Sequence, residues 1–331
     1  MKTVLFLHLV LTFPAVADLA SCRASQVAPY EAALKECLPL AEAGSSEAEV
    51  LVGNMYFSGK GVPVDNKEAA RWYRLAAEQN LGLAQANLGN MYDFGLGVAQ
   101  DLKEAARWYR LAADQGFAIA EGNLGNMYQH GRGVRQDYKE AGRWYRLAAE
   151  KGLAMAQGNL GTMYDFGWGV APDSREAEHW YRLAAEQGFP LAQCNLGVMY
   201  QHGNGVKRDY QEAVRFYRLA AEQGFGTAQG NLGNMYKSGL GVAQNHKEAV
   251  RWYRLAAAQG IANYQFNLAV MYANGEGVPQ DNIQAHFWFS LAAQAGEPNA
   301  AKNRDLVAAE MTPADLGKSL RLAAEWKPEA Q

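Results

Sequence analysis

The chain has 331 residues, of which 49% are hydrophobic and 20% charged, with a net charge of −3. That is the composition of an ordinary globular protein. A near-balanced charge removes the basic field that nucleic-acid binding needs, so DNA and RNA are excluded as partners.

The chain opens on Met1-Lys2, followed by an apolar run from Val4 to Val16 and then Ala15-Val16-Ala17 before Asp18. A basic start, a short apolar stretch and a small-x-small site predict a signal peptide over residues 1–17 and a mature chain outside the cytoplasm, periplasmic or secreted. The run is too short for a permanent anchor, and no later stretch is long and apolar enough to span a bilayer. Leu19-Ala20-Ser21-Cys22 offers an alternative: it resembles a bacterial lipobox, which would make an envelope lipoprotein anchored through Cys22. Of the three cysteines, Cys22 and Cys37 lie close in sequence and Cys194 far away, which predicts a Cys22–Cys37 disulfide and one buried thiol. Lipidation of Cys22 and that disulfide exclude each other.

Residues 18–44 are expected to form an N-terminal cap, with a half-repeat helix over Tyr30 to Gly44 made irregular by Pro39. Residues 45–296 then carry seven copies of a 36-residue unit. Gly-x-Gly-Val recurs with its valine at Val62, Val98, Val134, Val170, Val206, Val242 and Val278, without an insertion. Such periodicity decides the fold. In the second unit, Ala84, Leu88, Met91 and Tyr92 share one helical face, and Ala105, Trp108, Tyr109, Ala112 and Ala113 share another. Each unit is therefore two helices, A and B. Asp101 with Glu104 forms a capping-box signal for helix B. Helix B ends on a residue suited to positive φ, Asn80 and then Gly116 and its equivalents. A glycine recurs inside helix A (Gly89, Gly125, Gly161, Gly197 and Gly233), which predicts a close approach of the paired helices with Leu88 and Tyr92 filling the seam. Residues 297–331 supply C-terminal capping helices, the last opened by Thr312-Pro313 and running toward Trp326.

This pattern, Ala-x-x-x-Leu-Gly-x-x-Tyr-x-x-Gly-x-Gly-Val followed by Asp, Ala, Trp and Ala-Ala at fixed intervals, resembles the Sel-1-like repeat, a relative of the tetratricopeptide repeat. The resemblance implies an all-α fold, a right-handed superhelical solenoid of antiparallel helix pairs, acting as an adaptor that binds a protein or peptide in a concave groove. The cysteine-rich branch of that family is linked to β-lactam binding and β-lactamase activity, which gives the alternative function. This chain lacks the paired cysteines of that branch.

Catalytic motifs are absent: there is no phosphate loop, HExxH or CxxC, and Gly-x-Gly-Val follows a helix rather than a strand. No enzyme activity, cofactor or metal is expected, and the chain is read as a monomer. His130 and His202 stand two repeats apart, too far for one metal ion. Partner binding is assigned instead to helix A. One row of amides there includes Asn87, Asn123, Asn159, Asn195 and Asn231, and a second includes Asn90, Asn126 and Asn234. Spaced three apart, the rows share a side of the helix, where they can bond either a peptide backbone or neighbouring A helices. Positions that vary between repeats complete the expected site: Asp93, Phe94, His130, Asp165, Phe166, His202 and the loop residue Trp168. The arginines on helix B, such as Arg107 and Arg110, are expected to pair with acidic residues of their own helix.

Overall fold

The computed structural model describes residues 19–24 and 33–328. The expected signal segment and the opening of the cap helix at Tyr30 lie outside the described residues. The chain divides into two compact units, one ending at Ala148 and the other beginning at Ala149. Among the described residues there are eighteen helices and no strand.

Each repeat is a pair of 13-residue helices. The A helices are α3 (Ser46–Ser58), α5 (Gly82–Phe94), α7 (Ala118–His130), α9 (Ala154–Phe166), α11 (Pro190–His202), α13 (Gly226–Ser238) and α15 (Ala262–Asn274). The B helices are α4 (Asn66–Glu78), α6 (Leu102–Asp114), α8 (Tyr138–Glu150), α10 (Ser174–Glu186), α12 (Tyr210–Glu222), α14 (His246–Ala258) and α16 (Asn282–Gln294). Ahead of them stand α1 (Leu19–Ala24) and α2 (Ala33–Glu42), which contains Pro39; after them come α17 (Ala300–Ala309) and α18 (Pro313–Glu325). The fold is the all-helical repeat solenoid expected from the sequence.

The turns explain the constant length of the repeat. At the end of α6, Gly116 takes φ +83° and donates its N–H to Ala113, while Phe117 donates to Ala112. These are the two bonds of a Schellman motif, and Phe117 is at once its last residue and the N-cap of α7. One apolar residue thus closes helix B and opens the next helix A, and it contributes no side-chain cap. At the other end, Asp101 caps α6 by accepting from the backbone N–H groups of Lys103 and Glu104. The second half of the expected capping box is not made. The N–H of Asp101 donates to the carbonyl of Tyr92, and Asp65, Asp137, Asp173, Asp209, Asn245 and Asp281 do the same to the equivalent tyrosines. With that donor already satisfied, Glu104 pairs with Arg107 at 3.1 Å.

Close approach requires glycine at two positions of the repeat. A Cβ on Gly97, the second glycine of Gly-x-Gly-Val, would lie 2.0 Å from the carbonyl oxygen of Asn66, at the start of the preceding repeat's helix B. Gly133 meets Leu102 and Gly241 meets Tyr210 in the same way. The loop of each such repeat therefore rests its backbone on its predecessor. Inside helix A, a Cβ on Gly89 would come within 2.6 Å of the Tyr109 ring. The close approach expected from the sequence is real, and the group that fills it is the helix B tyrosine.

The core repeats as the sequence does. One cluster joins Val50 and Tyr73 of the first repeat to Leu88 and Met91 of the second and is closed by Trp108. A corresponding cluster in the second unit joins Cys194, Val214 and Tyr217 to Leu232, Met235 and Trp252. No hairpin buries its apolar face alone, so stacking is obligatory. At the N-terminus, Cys22 and Cys37 are disulfide-bonded and buried with Ala33, Val52 and Trp72.

Candidate partner-binding surface

Helix A presents its amides beside a row of buried tyrosine hydroxyls from helix B. The Tyr109 hydroxyl donates to Asn90 Oδ1 at 2.7 Å, Tyr73 to Asn54 at 2.7 Å, and Tyr253 to Asn234 at 2.6 Å. Burial pushes the pKa of these phenols well above the usual range, so they remain neutral donors. Where the asparagine row is broken, another acceptor takes its place. Tyr181 donates to Thr162 at 3.1 Å and Tyr217, facing Val198, donates to Gln201 at 2.6 Å. Tyr145 donates to Gln129 at 2.8 Å. The last repeat has Phe289 at this position, and there helix A carries Val270 and Ala273.

The first amide row links neighbouring A helices. Asn123 donates to Asn90 Oδ1 at 3.3 Å, Asn267 to Asn234 at 3.4 Å, and Asn231 Oδ1 accepts from Tyr264 at 2.8 Å. Asn87, Asn90, Asn123, Asn126, Asn159, Asn195, Asn231 and Asn234 are all half-buried. Of the two uses open to these amides, bonding between A helices is made by Asn90, Asn123, Asn231 and Asn234.

The variable residues at the A-helix C-termini behave differently from one another. Phe94 and Phe166 are 64% and 62% exposed, Trp168 is 37% exposed, and the Phe166 and Trp168 rings stack with centroids 5.2 Å apart. His130 and His202 are exposed and Asp165 is half-buried. Asp93, expected on an open rim, is instead buried, with its carboxylate 2.6 Å from Arg132 Nη2 of the next repeat. The Tyr109 hydroxyl also lies 3.5 Å from it.

Two structural networks escaped the sequence reading. Gln85 donates to the Ala77 carbonyl and accepts from Gln115 at 2.8 Å; Gln157 with Gln187, Gln193 with Gln223 and Gln229 with Gln259 repeat the pair. The signal was present as a glutamine that recurs at both positions in most repeats, replaced by Glu49 and Glu121 in one series and by Lys151 and Ala295 in the other, but an exposed-looking glutamine at a helix end carries no sign that it reaches a buried one. The second network corrects an expectation. Arg74, Arg110, Arg182, Arg218 and Arg254 do not simply pair along their own helix: each donates to the hydroxyl of the following repeat's helix A tyrosine, from Tyr92 to Tyr272. The other row, Arg71, Arg107, Arg143, Arg215 and Arg251, does pair locally with glutamate, and these arginines lie over Trp72, Trp108, Trp144, Phe216 and Trp252.

Cys194 is buried, its thiol pushed up to about 12 by desolvation, with Asn231 3.9 Å away. Among the described residues, no group of three or more histidine, cysteine or acidic side chains converges as a metal site would, and no helix is long and apolar enough to cross a membrane.

Comparison with known proteins agrees with this architecture. The chain is similar to a Sel1 repeat protein from Oxalobacter formigenes, with 36% identity over 82% of this chain and 79% of that one and a TM-score of 0.66. It is also similar to c5321, a protective antigen present in uropathogenic Escherichia coli strains and displaying an SLR fold, with 28% identity over 93% and 90% of the two chains and a TM-score of 0.57. The Cut9–Hcn1 structure of the APC/C shares the fold alone, at 14% identity over 87% of this chain and 58% of that one, with a TM-score of 0.50. No curated protein matches. The Sel1 repeat model matches residues 46–81, 82–117, 118–153, 154–189, 190–225, 226–261 and 262–297, seven consecutive copies, and the chain belongs to the Sel1 repeat family.

Proposed function

We propose that this chain is an exported protein-interaction scaffold that holds an extended peptide or a partner loop along its A-helix face. Sel1 repeat proteins are in general scaffolds for protein interaction, and the finer reading rests on one observation. Phe94 and Phe166 stand 64% and 62% exposed at A-helix C-termini, at a position that is serine, histidine or asparagine in the other repeats. The solenoid does not need an aromatic ring there, whereas a partner gains large apolar area from one. The half-buried asparagines beside them keep hydrogen-bonding capacity beyond the single bonds they make to one another, since each amide offers two donor hydrogens and an acceptor.

Export is supported by the Cys22–Cys37 bridge, which persists in oxidising compartments. The same bridge argues against a lipid anchor, because thioether lipidation needs the Cys22 sulfur. β-Lactam hydrolysis finds no support in Cys194, since a nucleophilic thiol needs a lowered pKa and access, and this one is raised and buried.

The test is affinity capture from cell-envelope and host extracts, followed by measurement of the identified partner against the full chain and a Phe94→Ala, Phe166→Ala, Trp168→Ala variant. Loss of central aromatic anchors should weaken binding by about 30-fold or more. Unchanged affinity would move the binding surface away from the A-helix C-termini.

A further inference from the structure

At two A-helix C-termini, residues 39 apart in sequence come together across neighbouring repeats. Phe57 and Leu96 line one small pocket together, and Asp93 meets Arg132 at 2.6 Å. In sequence the same spacing relates Gln201 to Leu240, both neutral, and Lys237 to Glu276, of opposite charge, although Glu276 accepts from Asn274 at 3.0 Å and lies 3.9 Å from His246. Asp165 breaks the rule. Its partner in this register is Asn204, which carries no charge.

Asp165 occupies the position of Asp93 in its repeat, though it is half-buried where Asp93 is buried. Each is the last residue but one of its helix A, and each carboxylate acts on the hydroxyl of the paired helix B tyrosine, Tyr181 for Asp165 and Tyr109 for Asp93. Burial raises the Asp165 pKa, and among the described residues no ion pair to Asp165 is seen. A partly desolvated carboxylate without a counter-charge is disfavoured, and that penalty is relieved when a cation arrives. Next to it, Phe166 and Trp168 stack at 5.2 Å and are exposed. Guanidinium groups lie well on aromatic faces, and this chain uses the pairing repeatedly, with Arg107 4.8 Å from the Trp108 ring centroid and Arg251 4.7 Å from that of Trp252.

We propose that Asp165, Phe166 and Trp168 form a receptor for an arginine side chain of a partner protein, whose guanidinium takes the place that Arg132 takes against Asp93. The proposal deepens the scaffold reading and rests on it. Arginine is favoured over lysine because a planar guanidinium can stack on the aromatic pair while its N–H groups reach the carboxylate. Asn204 marks the second repeat that bounds the receptor, and its neutrality keeps the position open.

The experiment uses the full chain labelled with nitrogen-15 and two peptides, acetyl-Gly-Arg-Gly-amide and its citrulline twin, which has the same shape without the charge. The Trp168 indole N–H signal, assigned with Trp168→Phe, should shift saturably with the arginine peptide and bind the citrulline peptide at least tenfold more weakly. Asp165→Asn should abolish the shift while the remaining indole signals stay in place. Asn204→Arg should also abolish it, by placing a guanidinium there within the chain as Arg132 does for Asp93. Equal binding of the two peptides, or binding unaffected by Asp165→Asn, would overturn the proposal. A captured partner that binds Asp165→Asn at full affinity would overturn this receptor and leave the scaffold reading intact. Selective arginine binding by a chain that captures no partner would keep the receptor and count against the scaffold.

Discussion

Tyr253 and Trp252 are adjacent and both buried, yet losing the polar atom should matter at one and not at the other. The Tyr253 hydroxyl donates to Asn234, so Tyr253→Phe removes the shorter of the two hydrogen bonds that Asn234 Oδ1 accepts, leaving that from Asn267, and should destabilise the chain by about 1 kcal/mol in urea unfolding. The Trp252 indole N–H is buried without an acceptor, so Trp252→Phe removes an unmet donor along with some packing and should cost less than an equally large deletion elsewhere in the core. The chain already contains both outcomes: Phe216 stands at the tryptophan position, and Phe289 stands at the tyrosine position where Val270 and Ala273 offer it no acceptor. Gly89→Ala should destabilise by about 1–3 kcal/mol through overpacking against Tyr109, outweighing the roughly 1 kcal/mol that alanine gains in helix propensity. The glycine was legible in the sequence as a repeated cost with a repeated cause. The partners of Asn90 and Arg110 were not, because the groups they meet, Tyr109 and Tyr128, lie 19 and 18 residues away on other helices. A helical-wheel argument sees only neighbours three and four residues apart.

Helix B begins at Asp101 by a mechanism that separates two residues the sequence groups together. Asp101→Ala removes the acceptor for two backbone N–H groups and should cost about 1 kcal/mol, seen as faster amide exchange in the first turn of α6. Glu104→Gln should change exchange there very little, because its exposed pair with Arg107 contributes at most about 1 kcal/mol and the N-cap amide is held by Tyr92. The C-terminal helix is attached differently. His286 Nδ1 on α16 lies 2.9 Å from Ser319 Oγ on α18, with both residues buried. Burial, reinforced by Arg304, lowers the His286 pKa below its ordinary value, while Asp305 opposes the shift. The unfolded histidine then binds protons more readily than the docked one, so the contribution to docking is complete above about pH 6.5 and declines as pH falls from there toward the lowered value. Trp326, which contacts Trp288 edge-on, reports the change. Its fluorescence should show earlier thermal release of α18 at pH 5.5 than at pH 7.5, and His286→Asn should remove that difference. A stability that does not change over this range would show that His286 plays no part in docking.

Across the molecule, stability is assembled from nearest neighbours, and perturbations should stay local. Reducing the Cys22–Cys37 bridge, which closes a span of 15 residues, should cost about 3 kcal/mol. Amide protection should fall in α2 and α3, while α13 and α14 are unaffected. Loss of protection at the distant helices would instead mean that the array unfolds as one body. The repeat number, the helix pairs and the positive-φ turns were all legible in the sequence, since each is a local feature printed seven times. The binding surface was legible only in outline. Asp93 is buried against Arg132, 39 places later in the chain, whereas Asp165 stays half-buried, and a single helix shows neither outcome. The backbone contact at the second loop glycine carries a consequence for inheritance. Gly97 rests on Asn66 and Gly133 on Leu102, so a tandem duplication or loss preserves the fold when it moves a whole period. A crossover displaced by one codon would set a side chain against a peptide carbonyl, so descendants of this gene should lengthen or shorten their arrays in complete repeats.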